Sequence, residues 1–165
     1  MYKIGDKIFY PMHGAGVIED LVEKEVLGEI RKYFVVGLVC NSVKISIPYD
    51  NAEKVGLRPI IDEKSASQVI FEFGNEKITE HDNWNVRYRE NLEKIKSNSI
   101  HDISLVVKEL MLRDKRKPLS TGERKMLASA KNILISELGL SLGKTYAEID
   151  NALLAMIDNY CACVG

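Results

Sequence analysis

The hydrophobic pattern changes its period near residue 60, and this change constrains the fold more than any other feature of the sequence. Before it, short runs of β-branched and aromatic residues alternate with polar residues in the manner of strands. After it, apolar residues recur every three or four positions, which is typical of amphipathic helices. We therefore predict an α+β chain with an all-β domain over residues 1–60 and an all-α domain over residues 61–165.

Four runs in the first part carry the strand pattern. "KIFYP" ends at a proline, "GVIEDLVEKEV" follows the glycine-rich "HGAG", and "KYFVVGLV" and "VKISIP" come next. Gly28, within "LGE", predicts a hairpin turn between the second and third runs. Four or five short strands in about sixty residues can bury a core only by curling tightly. This favours a small barrel of the Tudor-like or SH3-like kind.

Helix-start signals divide the second part of the chain. Ser120 and Glu123 in "STGE", and Thr145 and Glu148 in "TYAE", have the spacing of capping boxes. Together with the stretch "SASQVIFEF" and a helix near residue 84, the amphipathic patterns predict a bundle of about five helices. The predicted core positions of the last three helices are Ile103, Val106, Val107, Leu110 and Met111; Met126, Leu127, Ala130, Ile133, Leu134 and Leu138; and Ile149, Leu153, Leu154 and Ile157.

The net charge of -1 is distributed unevenly along the chain. Residues 1–60, 61–82, 83–131 and 132–165 carry balances of 0, -4, +6 and -3. A basic block of this kind suits a nucleic acid or an acidic partner. It is also typical of a solvated helical face whose lysines and arginines cluster, and charge alone leaves both interpretations open.

The residues that could support catalysis are scattered. His13, His81 and His101 show no zinc-type spacing and are more typical of surface or capping residues than of ligands or bases. Cys40 ends an apolar strand, which is typical of a buried structural thiol. An enzyme that uses His13 or Cys40 would need both in one pocket with a further polar group. We therefore predict a protein that is not an enzyme and that has no cofactor and no metal site.

The three cysteines and the absence of targeting signals suggest a cytoplasmic protein. An odd, sparse count does not make a disulfide framework. The terminal pair Cys161 and Cys163 lacks a second cluster of ligands, so it is a weak signal for a metal. The first residues lack the apolar core of a signal peptide, and no run of about 18 apolar residues occurs.

The stretch "HDNWNVRYRENLEKI", residues 81–95, holds the one tryptophan of the chain. Read as a helix, it forms two neighbouring stripes, an apolar one and a basic one. The first holds Trp84, Tyr88, Leu92 and Ile95, and the second holds Arg87, Asn91 and Lys94. A tryptophan at the border between such stripes can pack against the core or reach out to a partner.

Four stretches, in order along the chain, resemble the CarD/CdnL family of bacterial transcription regulators. They are "GDKIFYPMHGAGVIE" at 5–19, "IPYDNAEKVGLRPI" at 47–60, "NWNVRYRENLEKI" at 83–95 and "RDKRKPLSTGERKMLASAKNILISEL" at 113–138. The first part of the chain also resembles the polymerase-binding module of the transcription-repair coupling factor. The resemblance covers the chain nearly from end to end.

The resemblance implies a regulator that stabilises the open promoter complex. Its helical domain would lie on promoter DNA at the upstream edge of the melted region, without strong sequence preference. Trp84 would be a wedge in the minor groove, where an aromatic ring opposes the restacking of separated bases. Arg87 and Arg89 would hold phosphates, and Arg124 and Lys125 are the next candidates for phosphate contacts.

The resemblance also implies that the Tudor-like domain docks on the β subunit of bacterial RNA polymerase. A strand edge of the domain would lie against a lobe of that subunit. The positions that this implies are Lys24, Val36, Ser46, Ile47 and Pro48.

Two departures from the family pattern concern these interfaces. Val86 stands two residues after the tryptophan, where a basic residue is frequent, and Ser46 stands where some members have arginine. One phosphate contact could therefore be missing, and the affinity for polymerase could either be lower or depend on other contacts of the strand edge. The alternative function is an adaptor that binds polymerase and another protein without touching DNA. An exposed Trp84 favours the regulator, and a covered one favours the adaptor.

Overall fold

The computed structural model describes residues 1–164 and confirms an all-β part followed by five helices. The strands are β1 (Lys7–Tyr10), β2 (Gly14–Val26), β3 (Glu29–Leu38), β4 (Lys44–Pro48) and β5 (Arg58–Pro59), with a 3-10 turn at Tyr49–Asn51. The helices are α1 (Glu63–Asn75), α2 (Trp84–Lys96), α3 (Ile100–Arg116), α4 (Thr121–Leu142) and α5 (Tyr146–Val164). Among the described residues, no helix combines the length and the hydropathy that crossing a membrane requires.

The strands form one antiparallel sheet in the order β4-β3-β2-β1-β5. β2 and β3 make a long hairpin whose last paired residues are Val26 and Glu29. The two residues of the turn, Leu27 and Gly28, have φ angles of 53° and 80°. Positive φ at both positions is typical of a type I′ turn, whose twist matches that of the flanking strands. Glycine adopts a positive φ without strain, which explains the turn at Gly28. The pairing of β2 with β3 on either side of this turn confirms the predicted hairpin.

The sheet curls around a small core of its own, in agreement with the predicted Tudor-like barrel. A register shift between Ile18 and Asp20 interrupts the ladder of β2 and β3. Such an irregularity increases the local bend and twist of a strand, which lets a five-stranded sheet wrap around its side chains. The buried residues of this core are Ile8, Ile18, Phe34, Val36, Leu38, Ile47, Ala52 and Leu57.

Cys40 does not have the buried position that its apolar strand suggested. It lies just beyond the end of β3, where the chain turns, and its side chain is exposed. The thiol lies 3.3 Å from the main-chain oxygen of Asn132 in α4. The prediction was wrong because the apolar run continues to Cys40 whereas the strand itself ends two residues earlier, at Leu38.

The helix starts follow the predicted caps. The hydroxyl of Ser120 accepts the main-chain N–H of Glu123 at 3.3 Å. Thr145 and Glu148 form a reciprocal pair, in which the Thr145 hydroxyl accepts from the Glu148 N–H and the Glu148 carboxylate accepts from the Thr145 N–H. The side chain of Glu123 instead turns away from its cap to a partner on another helix.

The helices pack around a second and larger core. Most positions predicted from the helical period are buried there, and the exceptions are Leu127, which is half-buried, and Leu154, which is exposed. The buried residues that match the prediction are Ile103, Val106, Val107, Leu110, Met111, Met126, Ala130, Ile133, Leu134, Leu138, Ile149, Leu153 and Ile157.

The sheet and the helices meet along α4. The carboxylate of Glu137, which is fully buried, accepts two hydrogen bonds from Arg58 at 2.6 and 2.8 Å. The hydroxyl of Ser136 accepts the N–H of Ala15 at 2.8 Å, and a Cβ at Gly14 would lie 2.7 Å from that hydroxyl oxygen. These bonded and close-packed contacts fix the sheet against α4.

Candidate functional site

Trp84 begins α2 with its ring held between two helices. The side chain is 43% exposed. Its ring stacks on that of Tyr88, with 5.0 Å between ring centroids and 19° between ring planes. Its indole N–H donates to the hydroxyl of Ser120, the cap of α4, at 3.3 Å. The chain therefore presents part of a large aromatic ring to solvent while it restrains the orientation of that ring.

The local sequence explains why the ring lies at the start of the helix. Asn83 caps α2, because its side-chain oxygen accepts the N–H of Val86 at 3.1 Å. Trp84 is thus the first helical residue of α2. Gly122 faces the aromatic pair, and a Cβ there would lie 3.7 Å from both Trp84 and Tyr88. The start of α4 therefore packs directly against the two rings.

Arg87, which the resemblance implies as a phosphate contact, has a buried side chain. Its guanidinium is buried and makes a bidentate pair with the carboxylate of Glu123, with bonds of 2.9 and 3.0 Å. A further N–H donates to the main-chain oxygen of His81 at 2.9 Å. The charged hydrogen bonds to Arg87 lower the pKa of Glu123, and they raise the pKa of Arg87. Arg87 therefore links α2 to α4, and its guanidinium N–H groups already have hydrogen-bond partners within the protein.

The burial of the two stripes of α2 differs from the prediction. The buried residues of the helix are Arg87 and Asn91, from the stripe predicted to be basic, and Ile95 from the apolar stripe. Tyr88 and Leu92 are only half-buried. The reason is the ion pair, because Glu123 compensates the charge that would otherwise keep Arg87 in water. Trp84 lies outside this buried face.

The other three predicted phosphate contacts are exposed. Arg124 and Lys125 lie in the first turns of α4, next to the Ser120 cap, and Arg124 donates to the main-chain oxygen of Leu119 at 3.2 Å. Arg89 is exposed on α2. It follows Trp84 by five residues, about 140° around the helix axis, so it lies on another side of α2. Of the three, Arg124 and Lys125 are the ones near the helix end that contacts the tryptophan.

A basic cleft next to the tryptophan was missed from the sequence. It has a volume of about 390 Å³. Its lining residues are Arg87, Arg113, Arg116, Lys117, Pro118, Leu119, Ser120 and Glu123. The signal was the basic run "RDKRK", residues 113–117, which forms the end of α3. Because Ser120 also contacts Trp84, the cleft and the tryptophan ring are adjacent.

Glu80, in the connection between α1 and α2, faces this cleft. Its carboxylate pairs with Arg116 and lies 3.6 Å from the guanidinium of Arg113. Arg113 also donates to the main-chain oxygen of His81 at 2.8 Å. The acidic segment that precedes the tryptophan helix therefore neutralises part of the basic block that follows it.

The predicted polymerase surface is partly exposed. Lys24 on β2 donates to the hydroxyl of Ser46 on β4 at 3.3 Å, and its ammonium lies 5.6 Å from the centre of the Tyr33 ring. Lys24 and Ser46 are exposed, and Pro48 is half-buried. β4 is an edge strand of the sheet, so one side of its backbone lacks a neighbouring strand. The face of β2, β3 and β4 thus carries an accessible ammonium next to an open strand edge.

Val36 and Ile47, which the resemblance implies as part of the polymerase surface, differ from Lys24 and Ser46 in their exposure. Both side chains are buried in the core of the sheet. Val36 lies in β3, which pairs with β2 on one side and with β4 on the other. The backbone of β3 is therefore hydrogen-bonded to a neighbouring strand on each side and offers no free edge to a partner. Ile47 remains at the sheet edge only through its backbone, because it lies in β4.

Two family models and a curated relative match the chain. Residues 2–61 match the model of the CarD-like/TRCF RID domain. Residues 68–154 match the model of the CarD C-terminal domain. The chain is also 37% identical over 149 residues to YdeB of Bacillus subtilis (strain 168), which is named as a candidate transcription factor. That match spans 90% of this chain and 97% of the relative.

Proposed function

The chain belongs to the CarD family of transcription factors that interact with RNA polymerase, and from this premise we propose that it bridges polymerase and promoter DNA. The sheet binds the β subunit of polymerase. The helical part binds DNA at the upstream edge of the melted region. Trp84 enters the minor groove there and opposes reclosure of the duplex, which prolongs the open complex.

The observation that carries this proposal is the exposed and restrained ring of Trp84. An aromatic side chain that is already oriented loses little conformational entropy when it inserts between bases. The stack on Tyr88 and the bond to Ser120 supply that restraint. A tryptophan is highly buried on average, whereas 43% of Trp84 is accessible to a partner.

Phosphate contacts come from the cations around the ring. Arg116 and Lys117 line the cleft, and Arg124 and Lys125 lie at the start of α4. These side chains recognise the phosphate backbone, which is the same in every sequence. The proposed binding is therefore sensitive to salt and tolerant of sequence.

Replacing Glu80 should strengthen DNA binding if this surface holds phosphates. In the free protein Glu80 competes for Arg113 and Arg116, as a phosphate would. An exposed ion pair is worth about 0.2 to 1 kcal/mol, so Glu80→Gln should tighten binding of the full chain to duplex DNA by roughly 1.4- to 5-fold. Fluorescence anisotropy with labelled duplex, over a series of salt concentrations, measures this.

Glu93→Gln is the matched control, because Glu93 is exposed on α2 and its replacement changes the net charge equally. A larger gain for Glu80→Gln than for Glu93→Gln supports competition at the cleft. Equal gains would assign the effect to net charge alone. Failure of the unmodified chain to bind duplex DNA at low salt would contradict DNA contact and favour the adaptor function.

Reversing the charge of Lys24 should weaken binding to polymerase. Lys24 and Ser46 lie together next to the open edge of β4. A reversed charge replaces attraction by repulsion at an interface that is partly electrostatic, so Lys24→Glu should raise the Kd for polymerase core by about fivefold or more. Biolayer interferometry with immobilised polymerase core measures the Kd. Lys3→Glu, an exposed position before β1, is the control, and an equal loss in both variants would refute this surface.

A further inference from the structure

Three potential metal ligands converge where the end of α1 meets the start of α3. The Nε2 atom of His101 lies 2.9 Å from a carboxylate oxygen of Glu76 and 3.4 Å from one of Glu72. The three ligand atoms all lie within 4.8 Å of one another. Glu72 belongs to the last turn of α1, Glu76 is the residue that caps the end of α1, and His101 lies in the first turn of α3. The histidine spacing had not predicted this cluster.

The two distances from His101 fit one coordination sphere. Ligands bound to Zn²⁺ at about 2.0 to 2.1 Å in a tetrahedron are separated by roughly 3.3 Å. The distances of 2.9 and 3.4 Å from His101 to the two carboxylates bracket that separation. Glu72 and Glu76 are also four residues apart at the end of α1, and at this spacing two negative charges repel in the absence of a cation.

Neighbouring groups orient the ligands without blocking them. The amide of Gln68 donates to the second oxygen of Glu72 at 3.0 Å, which leaves the oxygen facing His101 free. A carboxylate oxygen of Asp102 lies 4.0 Å from Nδ1 of His101, on the side of the ring away from the cluster. The buried ammonium of Lys108 bonds to the main-chain oxygen of Glu76, not to its carboxylate. Metal sites commonly use such surrounding groups to fix their ligands.

We propose that Glu72, Glu76 and His101 bind a divalent transition-metal ion of the Zn²⁺ type. One imidazole and two carboxylates suit zinc and its neighbours, and the set contains no soft ligand that would favour Cu(I). All three side chains are half-exposed, so an ion can enter and water can complete its coordination. The ion would join α1 to α3 and so stabilise the helical part. This inference does not depend on the proposed role in transcription.

Zinc should raise the melting temperature of the full chain if the site exists. The measurement uses protein in which Cys40, Cys161 and Cys163 are replaced by serine, so that thiols do not compete for the ion. Thermal unfolding is followed with and without ZnSO₄, and isothermal titration calorimetry gives the affinity. In this background, His101→Gln and Glu76→Gln should each weaken zinc binding by about tenfold or more, as the loss of one ligand removes a bond to the metal.

His81→Gln is the control, because His81 pairs with the single carboxylate of Glu90 at 2.8 Å and lacks a second one. It should leave zinc binding unchanged. For each variant, the melting temperature with zinc is compared with the melting temperature of the same variant without metal. This separates the destabilisation caused by losing the ion pairs from the loss of zinc binding. Absence of zinc binding at millimolar concentration, or binding that survives both His101→Gln and Glu76→Gln, would show that the cluster makes ion pairs only.

Discussion

Trp84→Ala should shorten the lifetime of the open promoter complex by roughly ten- to a hundredfold while the chain remains folded. Unstacked bases recover a few kcal/mol per step when they close, and the proposed wedge opposes this. Each 1.4 kcal/mol of lost stabilisation is about tenfold in the rate of reclosure. The measurement is the decay of preformed open complexes after addition of a competitor, with and without the variant.

The cost of the same substitution in folding should be smaller than for a core tryptophan. Replacing a completely buried tryptophan by alanine lowers the free energy of unfolding by about 3 to 5 kcal/mol. Trp84 is 43% exposed, so its replacement should cost less. Phe71→Ala is the control, since Phe71 is another exposed aromatic residue, on α1. It should leave the lifetime unchanged. Trp84→Phe, which keeps an aromatic ring, should retain part of the effect on the open complex.

Two outcomes would refute the role of Trp84 as a wedge. An unchanged lifetime with a folded Trp84→Ala variant would remove the ring from the mechanism. Cooperative unfolding of the helices in that variant would assign Trp84 to the fold. Binding to polymerase core alone should be unchanged, because the proposed polymerase surface lies on the sheet.

Glu123→Ala should lower the free energy of unfolding by about 3 to 5 kcal/mol. Removing one partner of a buried ion pair leaves the other charge without compensation. Arg87 and Glu123 are both buried, and their pair joins α2 to α4 beneath the tryptophan. Urea unfolding at neutral pH measures the change. Glu93→Ala, at an exposed position of α2, should change the free energy by less than about 0.5 kcal/mol, and a similarly small effect of Glu123→Ala would contradict this account.

The pH dependence gives the same ion pair a second test. The pKa of Glu123 lies below its ordinary value of 4.5 in the folded chain, because Arg87 bonds to the carboxylate. A lowered pKa contributes stability above the unfolded pKa, and this stability is lost as the pH falls through the folded pKa. The difference in unfolding free energy between the unmodified chain and Glu123→Ala should therefore shrink as the pH is lowered below 4.5. A difference that stays constant would exclude the ion pair as its source.

The sequence predicted the elements of this fold well because their signals are local. The alternation in "KYFVVGLV" and the spacing of Thr145 and Glu148 depend on neighbouring residues only. The turn at Gly28 is likewise set by two adjacent backbone angles. Each of these features appears in the structure where the pattern indicated it.

The site was harder to predict because its contacts join distant parts of the chain. Glu123 follows Arg87 by 36 residues, so the helical stripe alone could not show that the arginine is neutralised and buried. Glu80 and Arg116 are separated by the same distance in sequence. Val36 appears in the resemblance as part of a binding strand, and only the strand order shows that β3 is covered on both sides. Partners of charged residues are set by packing and not by local spacing.

The fluorescence emission from residue 84 in a promoter complex tests most directly the claim that Trp84 inserts into DNA. The chain has one tryptophan, so growth with 5-hydroxytryptophan places one emitter at residue 84, and it can be excited apart from the tryptophans of polymerase. Polymerase core alone should leave the emission nearly unchanged, because the sheet makes that contact. Formation of the open complex should quench the emission, as the ring stacks against bases. Emission that is the same with polymerase alone and with the open complex would contradict the insertion of Trp84 into DNA.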